Sequence, residues 1–242
     1  MRLRPMRFAQ SNSLDPFWLH LVVALLMGWI LIDSHPTNAA TIANSQTDFS
    51  GTQGSNNWTY GYYSSPFTPA TFQEMPHFDG TEWDIQQSSG GYWTLLTSIG
   101  GHPNGINGNQ GRLPIEQWAD RRWTSNVSGN IDISGTVASL GGGSMVARII
   151  LNGNEIFSQS AGSLSSYDVT ATVAVGSILD FAISPPANGI DVNGYTQFAA
   201  VINGAPEPST IVLAAFGCAG LAFWVRRKRF RTAHFSFLDK PE

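Results

Sequence analysis

The sequence contains only one cysteine in 242 residues, Cys218, which lies inside a charge-free segment near the C-terminus. The rest of the chain therefore has no intramolecular disulfide and no cysteine-ligated metal site. Residues 40–205 also lack lysine, and their four arginines and twelve carboxylates give a formal charge of −8. Because nucleic acids and anionic lipids are bound by basic patches, we expect this region to bind neither.

Helical periodicity is also missing outside two apolar segments near the ends of the chain. Charged residues make up 12% of the sequence and apolar residues 42%, which is too apolar a composition for a disordered protein. Short alternating runs recur instead, roughly every ten residues in the second half of the chain. We predict an all-β fold, a jelly-roll or Greek-key sandwich over residues 56–204, preceded by a flexible start at 41–55.

Several runs give this prediction its detail. Asn57–Tyr63 and Ile131–Val137 alternate in the manner of strands. Asn152-Gly153 is the strongest hairpin signal, because both residues accept the positive φ of a type I′ turn. Met75–Gly91 looks irregular, and Gly100–Gly111, with five glycines and a proline, is expected to be a surface loop.

The N-terminus has the pattern of a secretory signal peptide, which we assign to residues 1–40. Arg2, Arg4 and Arg7 precede the apolar run Leu19–Ile32, and small residues follow as far as Ala40. A signal of this kind implies passage through the secretion translocon. The alternative is an uncleaved N-terminal anchor.

Residues 205–231 near the C-terminus contain three parts in a fixed order. A stiff Pro206-Glu207-Pro208 comes first, and Ser209–Val225 then runs for seventeen residues without a charge. As a helix, residues 209–225 would rise about 25 Å, near the lower limit for crossing a bilayer. The basic cluster that follows should stay on the cytoplasmic side, ahead of a cytoplasmic tail at 232–242; it consists of Arg226, Arg227, Lys228, Arg229 and Arg231.

This arrangement resembles the PEP-CTERM sorting signal of bacterial surface proteins. The resemblance implies a single-pass membrane intermediate, recognition by an exosortase-type transpeptidase, and delivery to the cell envelope, the cell surface or the extracellular matrix. One departure is that Thr232–Glu242 continues after the basic cluster, whereas members of the family usually end soon after it. The alternative is a plain single-pass membrane protein that is never processed.

The strand rhythm of about 150 residues resembles the jelly-roll, carbohydrate-binding-module-like domains of secreted bacterial proteins. That resemblance implies a jelly roll and the binding of extracellular polysaccharide. It is carried by these stretches: Arg121–Ser125, Val127–Gly129, Ile131–Gly135, Val146–Gly153, Ile156-Phe157 and Asp180-Phe181.

Glycans are commonly held by aromatic faces that stack on pyranose rings. Most of the large aromatic residues should fill the core of the sandwich, because they bury the largest apolar area. Tyr63, Trp83 and Trp118 border predicted loops and are therefore the candidates for glycan binding.

The sequence also offers oxygen ligands for a structural Ca²⁺ ion. Asp191 and Asn193 supply hard oxygen ligands at alternating positions in a predicted turn, and Asp180 lies one strand earlier. The alternative reading is that these side chains cap their own turn backbone.

No sequence motif marks an active site, so we assign no catalytic residues and expect a non-enzymatic protein. The chain has neither a Gly-x-Ser-x-Gly nucleophile elbow nor a His-Glu-x-x-His zinc motif. Paired acids such as Glu82 and Asp84 leave a glycan-active hydrolase as the alternative. A structural adhesin without saccharide affinity is also open.

Overall fold

The computed structural model describes residues 40–65, 67–85, 91–204 and 217–220. Three short 3₁₀ turns lie at Ser55–Asn57, Pro69–Thr71 and Asn109–Gly111. The fourteen strands are β1 (Thr41–Asn44), β2 (Trp58–Ser64), β3 (Phe72–Glu74), β4 (His77–Phe78), β5 (Glu82–Asp84), β6 (Leu95–Thr97), β7 (Gly100–His102), β8 (Gln117–Thr124), β9 (Gly129–Ser139), β10 (Val146–Leu151), β11 (Asn154–Ser160), β12 (Ser165–Val173), β13 (Ile178–Ser184) and β14 (Thr196–Gly204).

The strands form two antiparallel sheets. The eight-stranded sheet has the order β12-β9-β14-β7-β6-β5-β4, with β1 also paired to β14. The six-stranded sheet has the order β11-β10-β13-β8-β2-β3. From β8 onward the chain crosses repeatedly between the sheets, so the neighbouring pairs β8–β13 and β9–β14 join strands that are far apart in sequence.

One hydrophobic core fills the space between the two sheets. Trp58, Trp123 and Leu179 of the six-stranded sheet and Ile133 and Ile202 of the eight-stranded sheet are all completely buried in it. The rings of Phe181 and Phe198 meet across the interior with centroids 6.0 Å apart. The protein is therefore an all-β sandwich, as the sequence predicts.

A buried arginine crosses this core. Arg121 points inward from β8 and is 2% exposed. Its guanidinium donates to the carbonyl oxygens of Phe198 and Gly100 at 3.1 and 2.9 Å, and also to that of Thr97. A further bond of 3.3 Å reaches the Ser45 hydroxyl. Burial lowers the pKa of Arg121 to about 10, so the group stays charged at neutral pH.

Several sequence predictions are confirmed in detail. The alternation predicted over Ile131–Val137 is present in β9, where Ile131, Ile133 and Val137 are buried and Gly135 on the same face is half-buried. At the β10–β11 turn Asn152 has φ 49° and Gly153 has φ 86°, as a type I′ hairpin requires.

Three regions differ from the prediction. The expected flexible start at 41–55 begins instead with β1, which pairs with β14. The supposed loop Gly100–Gly111 begins with β7, where a Cβ on Gly100 would lie 1.9 Å from the Thr196 carbonyl oxygen, so only glycine fits. The stretch Met75–Gly91, expected to be irregular, contains β4 and β5.

Several predicted terminal features lie outside the described residues. They are the signal peptide at 1–40 (apart from Ala40), the sorting motif Pro206-Glu207-Pro208, the basic cluster Arg226–Arg231 and the tail at 232–242. Of the predicted helix at 209–225, the structure describes only residues 217–220, which form a helical turn with Cys218 exposed. Among the described residues no helix is long and apolar enough to cross a membrane.

The interior arginine gives a testable prediction. Replacing Arg121 by Met keeps much of the side-chain volume but leaves three buried carbonyl oxygens without their donor, so we expect the free energy of unfolding to fall by about 4 kcal/mol. Urea unfolding of the full-length chain measures this change. The matched control is Arg148→Met, a half-buried arginine on the other side of the same sheet, which should cost less than about 1 kcal/mol. Equal losses in the two variants would contradict the structural role of Arg121.

Candidate functional site

The candidate site lies on the six-stranded sheet, on the side that faces away from the core. We call this side the outer face. In β8, Ala119, Arg121 and Trp123 point into the core, so the alternate residues Trp118, Asp120 and Arg122 point to the outer face. The strand register brings partners from other strands beside them. Tyr63 pairs with Trp118, Asp180 pairs with Arg122, and Ala182 lies between Asp120 and Arg148.

Arg122, Asp180 and Tyr63 form a closed hydrogen-bonding network on this face. Arg122 Nε donates to Asp180 Oδ1 at 2.7 Å, and Arg122 Nη2 donates to the Tyr63 hydroxyl at 2.8 Å. The Tyr63 hydroxyl in turn donates to Asp180 Oδ2. The Arg122 guanidinium also lies 3.7 Å from the centroid of the Phe72 ring. Burial, with the nearby Asp120 and Asp180 carboxyls, raises the pKa of Tyr63, which stays a neutral donor.

Asp120 is a second, completely buried carboxyl group beside this network. Neither of its oxygens accepts a hydrogen bond, and the residue is 0% exposed. Two causes raise the pKa of Asp120 well above its usual range: burial is the larger, and the negative charge of Asp180 is the second. This shift favours the neutral form of the Asp120 carboxyl group over the charged form.

Trp118 offers an aromatic ring at the outer face that is only partly buried. The Phe67 ring stacks on it with centroids 4.3 Å apart and planes inclined by 7°. The Arg148 guanidinium carbon lies 4.9 Å from the Trp118 ring centroid, and Arg148 is ion-paired with Glu155. At the edge of the ring, Trp118 Nε1 donates to Glu116 Oε1 at 2.8 Å. An aromatic platform is thus bordered by a guanidinium and two carboxylates.

The three aromatic residues predicted to bind glycans differ in their exposure. Tyr63 is 1% exposed, closed in by Phe72 and Arg122, and Trp83 is 5% exposed. Trp83 stacks on Tyr60 at 5.7 Å and donates Nε1 to the Ser50 carbonyl at 2.8 Å. Both are packed side chains with no free ring face, which corrects their assignment. Of the three, only Trp118 remains a candidate.

The predicted calcium ligands take part in different networks. The Asp180 carboxylate is bound by Arg122 and Tyr63, whereas Asp191 Oδ2 accepts a bond of 2.9 Å from the Gly105 amide. Asn193 has φ 54° in the turn before β14. Within the part of the chain that the structure describes, no three histidine, cysteine, aspartate or glutamate side chains gather in a way that could hold a metal ion.

Sequence reasoning missed Asp120, Arg122, Arg148 and Phe67. The signal for the first two was present, since strict alternation along Trp118–Trp123 separates Trp118, Asp120 and Arg122 from the core residues. Arg148 and Phe67 could not be placed in this way. They reach Trp118 only because β10 lies two strands from β8 and the β2–β3 loop approaches the same face.

No family model matches the chain, and no curated protein is similar to it. Among solved structures, a family 35 carbohydrate binding module from Clostridium thermocellum is 17% identical, with 37% of this chain and 71% of that chain covered and a TM-score of 0.28. The module CBM6cm-2 from Cellvibrio mixtus lichenase 5A, in complex with cellotriose, is 13% identical over 69% and 100% of the two chains, with a TM-score of 0.30.

A third similar structure is the beta-glucosidase from Kluyveromyces marxianus. It is 12% identical over 75% of this chain and 20% of that chain, with a TM-score of 0.32. Carbohydrate-binding modules are thus among the structural neighbours. At these identities and TM-scores the likeness carries no argument about what this chain binds.

The buried Asp120 gives a prediction for the pH dependence of stability. The pKa of Asp120 is higher in the folded protein than in the unfolded chain. The stability that its neutral form contributes is therefore complete below the unfolded-state pKa of about 4, and it is lost as pH rises toward the folded-state pKa. Asp120→Asn cannot ionise. The variant should therefore gain stability relative to wild type as pH increases above about 4, by at most about 1.4 kcal/mol per pH unit.

Urea unfolding of both proteins between pH 4 and pH 9 would measure this difference. The control is Asp168→Asn, which removes an exposed carboxylate from β12. A constant difference between wild type and Asp120→Asn across the range would show that Asp120 is ionised in the folded protein.

Proposed function

We propose that this chain is an exported, non-catalytic surface or matrix protein that binds extracellular polysaccharide on the outer face around Trp118. The observation that carries the proposal is the partly exposed Trp118 ring with Arg148, Glu155 and Glu116 beside it. A pyranose ring presents an apolar face that packs on an indole, and its hydroxyl groups need donors and acceptors at the rim. Trp118 and its charged neighbours supply both.

The charge of the outer face favours a neutral glycan. Its two arginines are already engaged with carboxylates, Arg122 with Asp180 at 2.7 Å and Arg148 with Glu155. Burial and the charge of Asp180 raise the pKa of Asp120, which favours its neutral form. Residues 40–205 carry a formal charge of −8, so the domain as a whole would repel a strongly anionic polysaccharide.

The absence of catalysis is part of the proposal. Asp120 and Asp180, the two aspartates of the outer face, are both 0% exposed, and this burial supports a structural role. A glycan-active hydrolase stays the alternative because burial, Asp79 and Asp84 raise the pKa of Glu82, as a general acid would require. Release of reducing sugar from a polysaccharide panel, abolished by Glu82→Gln, would establish that alternative.

Export and sorting are proposed from the sequence. The order of Pro206-Glu207-Pro208, Ser209–Val225 and the basic cluster supports processing by an exosortase-type transpeptidase after passage through the translocon. The domain would then be delivered to the cell surface or its matrix. The last described strand, β14, ends at Gly204, two residues before Pro206 in the sequence.

The binding proposal is tested by two tryptophan substitutions. Trp118→Ala should weaken binding to neutral oligosaccharides by at least about tenfold, because the stacking surface is removed, while stability changes little. Trp83→Ala, the matched control, should lower the free energy of unfolding by about 3–5 kcal/mol through loss of core packing. Isothermal titration with cello-, manno- and xylohexaose, together with urea unfolding, separates the two effects. Unchanged affinity in Trp118→Ala would refute this face as the binding site.

Sorting is tested by intact mass spectrometry of the surface-associated protein from cells with and without the exosortase. We expect a mature C-terminus near Pro206 in the first case and a retained basic cluster in the second. A surface protein that still extends through Arg231 in exosortase-containing cells would identify a plain membrane anchor instead.

A further inference from the structure

The face of Trp118 on which the proposed function places a sugar ring is already in contact with another ring. Phe67, in the loop between β2 and β3, lies parallel to Trp118, with a centroid distance of 4.3 Å and an interplanar angle of 7°. A flat apolar ring resting parallel on an indole is also the geometry that a stacked pyranose adopts. Phe67 therefore occupies the surface that a glycan would need.

Phe67 holds this position in a strained backbone conformation. Its φ is +56°, in the left-handed region that bulky side chains rarely adopt. Such strain persists only where surrounding contacts stabilise it. The aromatic contact that the structure shows for the Phe67 ring is its stack on Trp118.

The rest of the loop is anchored independently of the Phe67 ring. The Phe67 amide donates to the Ser64 carbonyl at 2.8 Å, and the Thr71 hydroxyl donates to the Thr68 carbonyl at 3.0 Å. At the tip of the loop, Pro69 lies so close to the β10–β11 turn that a Cβ added to Gly153 would be 3.0 Å from Pro69 Cγ. The ring can therefore leave Trp118 without loss of the bonds that hold the loop.

Arg148, the other group that contacts the Trp118 ring, is fixed more firmly. Its Nε donates to the Ser184 hydroxyl at 3.0 Å, and its Nη1 is bound to Glu155. Displacing Arg148 would break an ion pair and a hydrogen bond, whereas rotating the Phe67 ring away from Trp118 breaks one aromatic stack. Phe67 is the group that a ligand displaces more easily.

We propose that Phe67 is a built-in competitor for the glycan-binding face, occupying Trp118 in the free protein and leaving it when a saccharide stacks there. This inference rests on the proposed polysaccharide binding at Trp118 and adds its regulation. Every binding event must first break the Phe67–Trp118 stack, so the measured affinity is lower than the intrinsic affinity of the platform. The platform is also shielded from other apolar surfaces while no glycan is present.

The test compares affinities of the full-length chain in a detergent without a sugar headgroup. Phe67→Ala removes the competing ring, and Phe67→Gly also removes the backbone strain. Ala70→Ser, an exposed change in the same loop that keeps the stack, is the matched control. Cello-, manno- and xylohexaose are the probes. Since an aromatic pair contributes about 0.5–1.5 kcal/mol, we expect both Phe67 variants to bind about two- to tenfold more tightly than wild type and Ala70→Ser.

The possible results separate the inference from the function on which it rests. Tighter binding by both Phe67 variants supports both. Equal or weaker binding by these variants, with wild-type binding intact, shows that Phe67 is a bystander or a part of the platform and overturns the inference alone. Absence of binding in wild type, both Phe67 variants and Ala70→Ser overturns the proposed function and the inference together. Unfolding in urea confirms that each variant is folded at the temperature of the titration.

Discussion

The sandwich depends on a single charged group placed where few charges are found. The Arg121 guanidinium joins β8 of one sheet to carbonyl groups of β6, β7 and β14 in the other, and within the described residues it donates to no carboxylate. Hydrophobic contacts between sheets are tolerant of small displacements, whereas directed hydrogen bonds are not. Arg121 therefore fixes how β8 lies against the opposite sheet and stabilises carbonyl groups at strand ends.

The same constraint determines the chemistry of the other side of the sheet. Because successive side chains alternate, an inward Arg121 requires that Asp120 and Arg122 point to the outer face. The strand register then places Asp180 beside Arg122 and Tyr63 beside Trp118. The network of Tyr63, Arg122 and Asp180 supports the sheet directly beneath the exposed ring. The candidate binding surface around Trp118 therefore lies beside a hydrogen-bonded network of side chains, with the Phe67 ring stacked on Trp118.

Local patterns in the sequence predict much of the fold. The alternation in β9 and the Asn152-Gly153 turn are local signals, and both agree with the structure. Local pattern places Gly100 in a loop. Its position in a strand instead depends on a close approach to Thr196, almost one hundred residues later, which no local pattern contains. Their positions beside loops place Tyr63 and Trp83 on a binding surface. In the structure Phe72 and Arg122 pack against Tyr63, and Tyr60 packs against Trp83, which the sequence pattern does not show. Alternation places a side chain on one face of a strand, but it does not show which loops and neighbouring side chains cover that face.

The pairing of β1 with β14 has a mechanical consequence. Thr41 lies opposite Asn203, and the Gly204 amide donates to the Ala40 carbonyl at 3.0 Å, so the sandwich begins and ends at adjacent points. If the chain were pulled at the start of β1 and at the end of β14, the force would break the hydrogen bonds between these strands one after another. The strand β1 would then detach first.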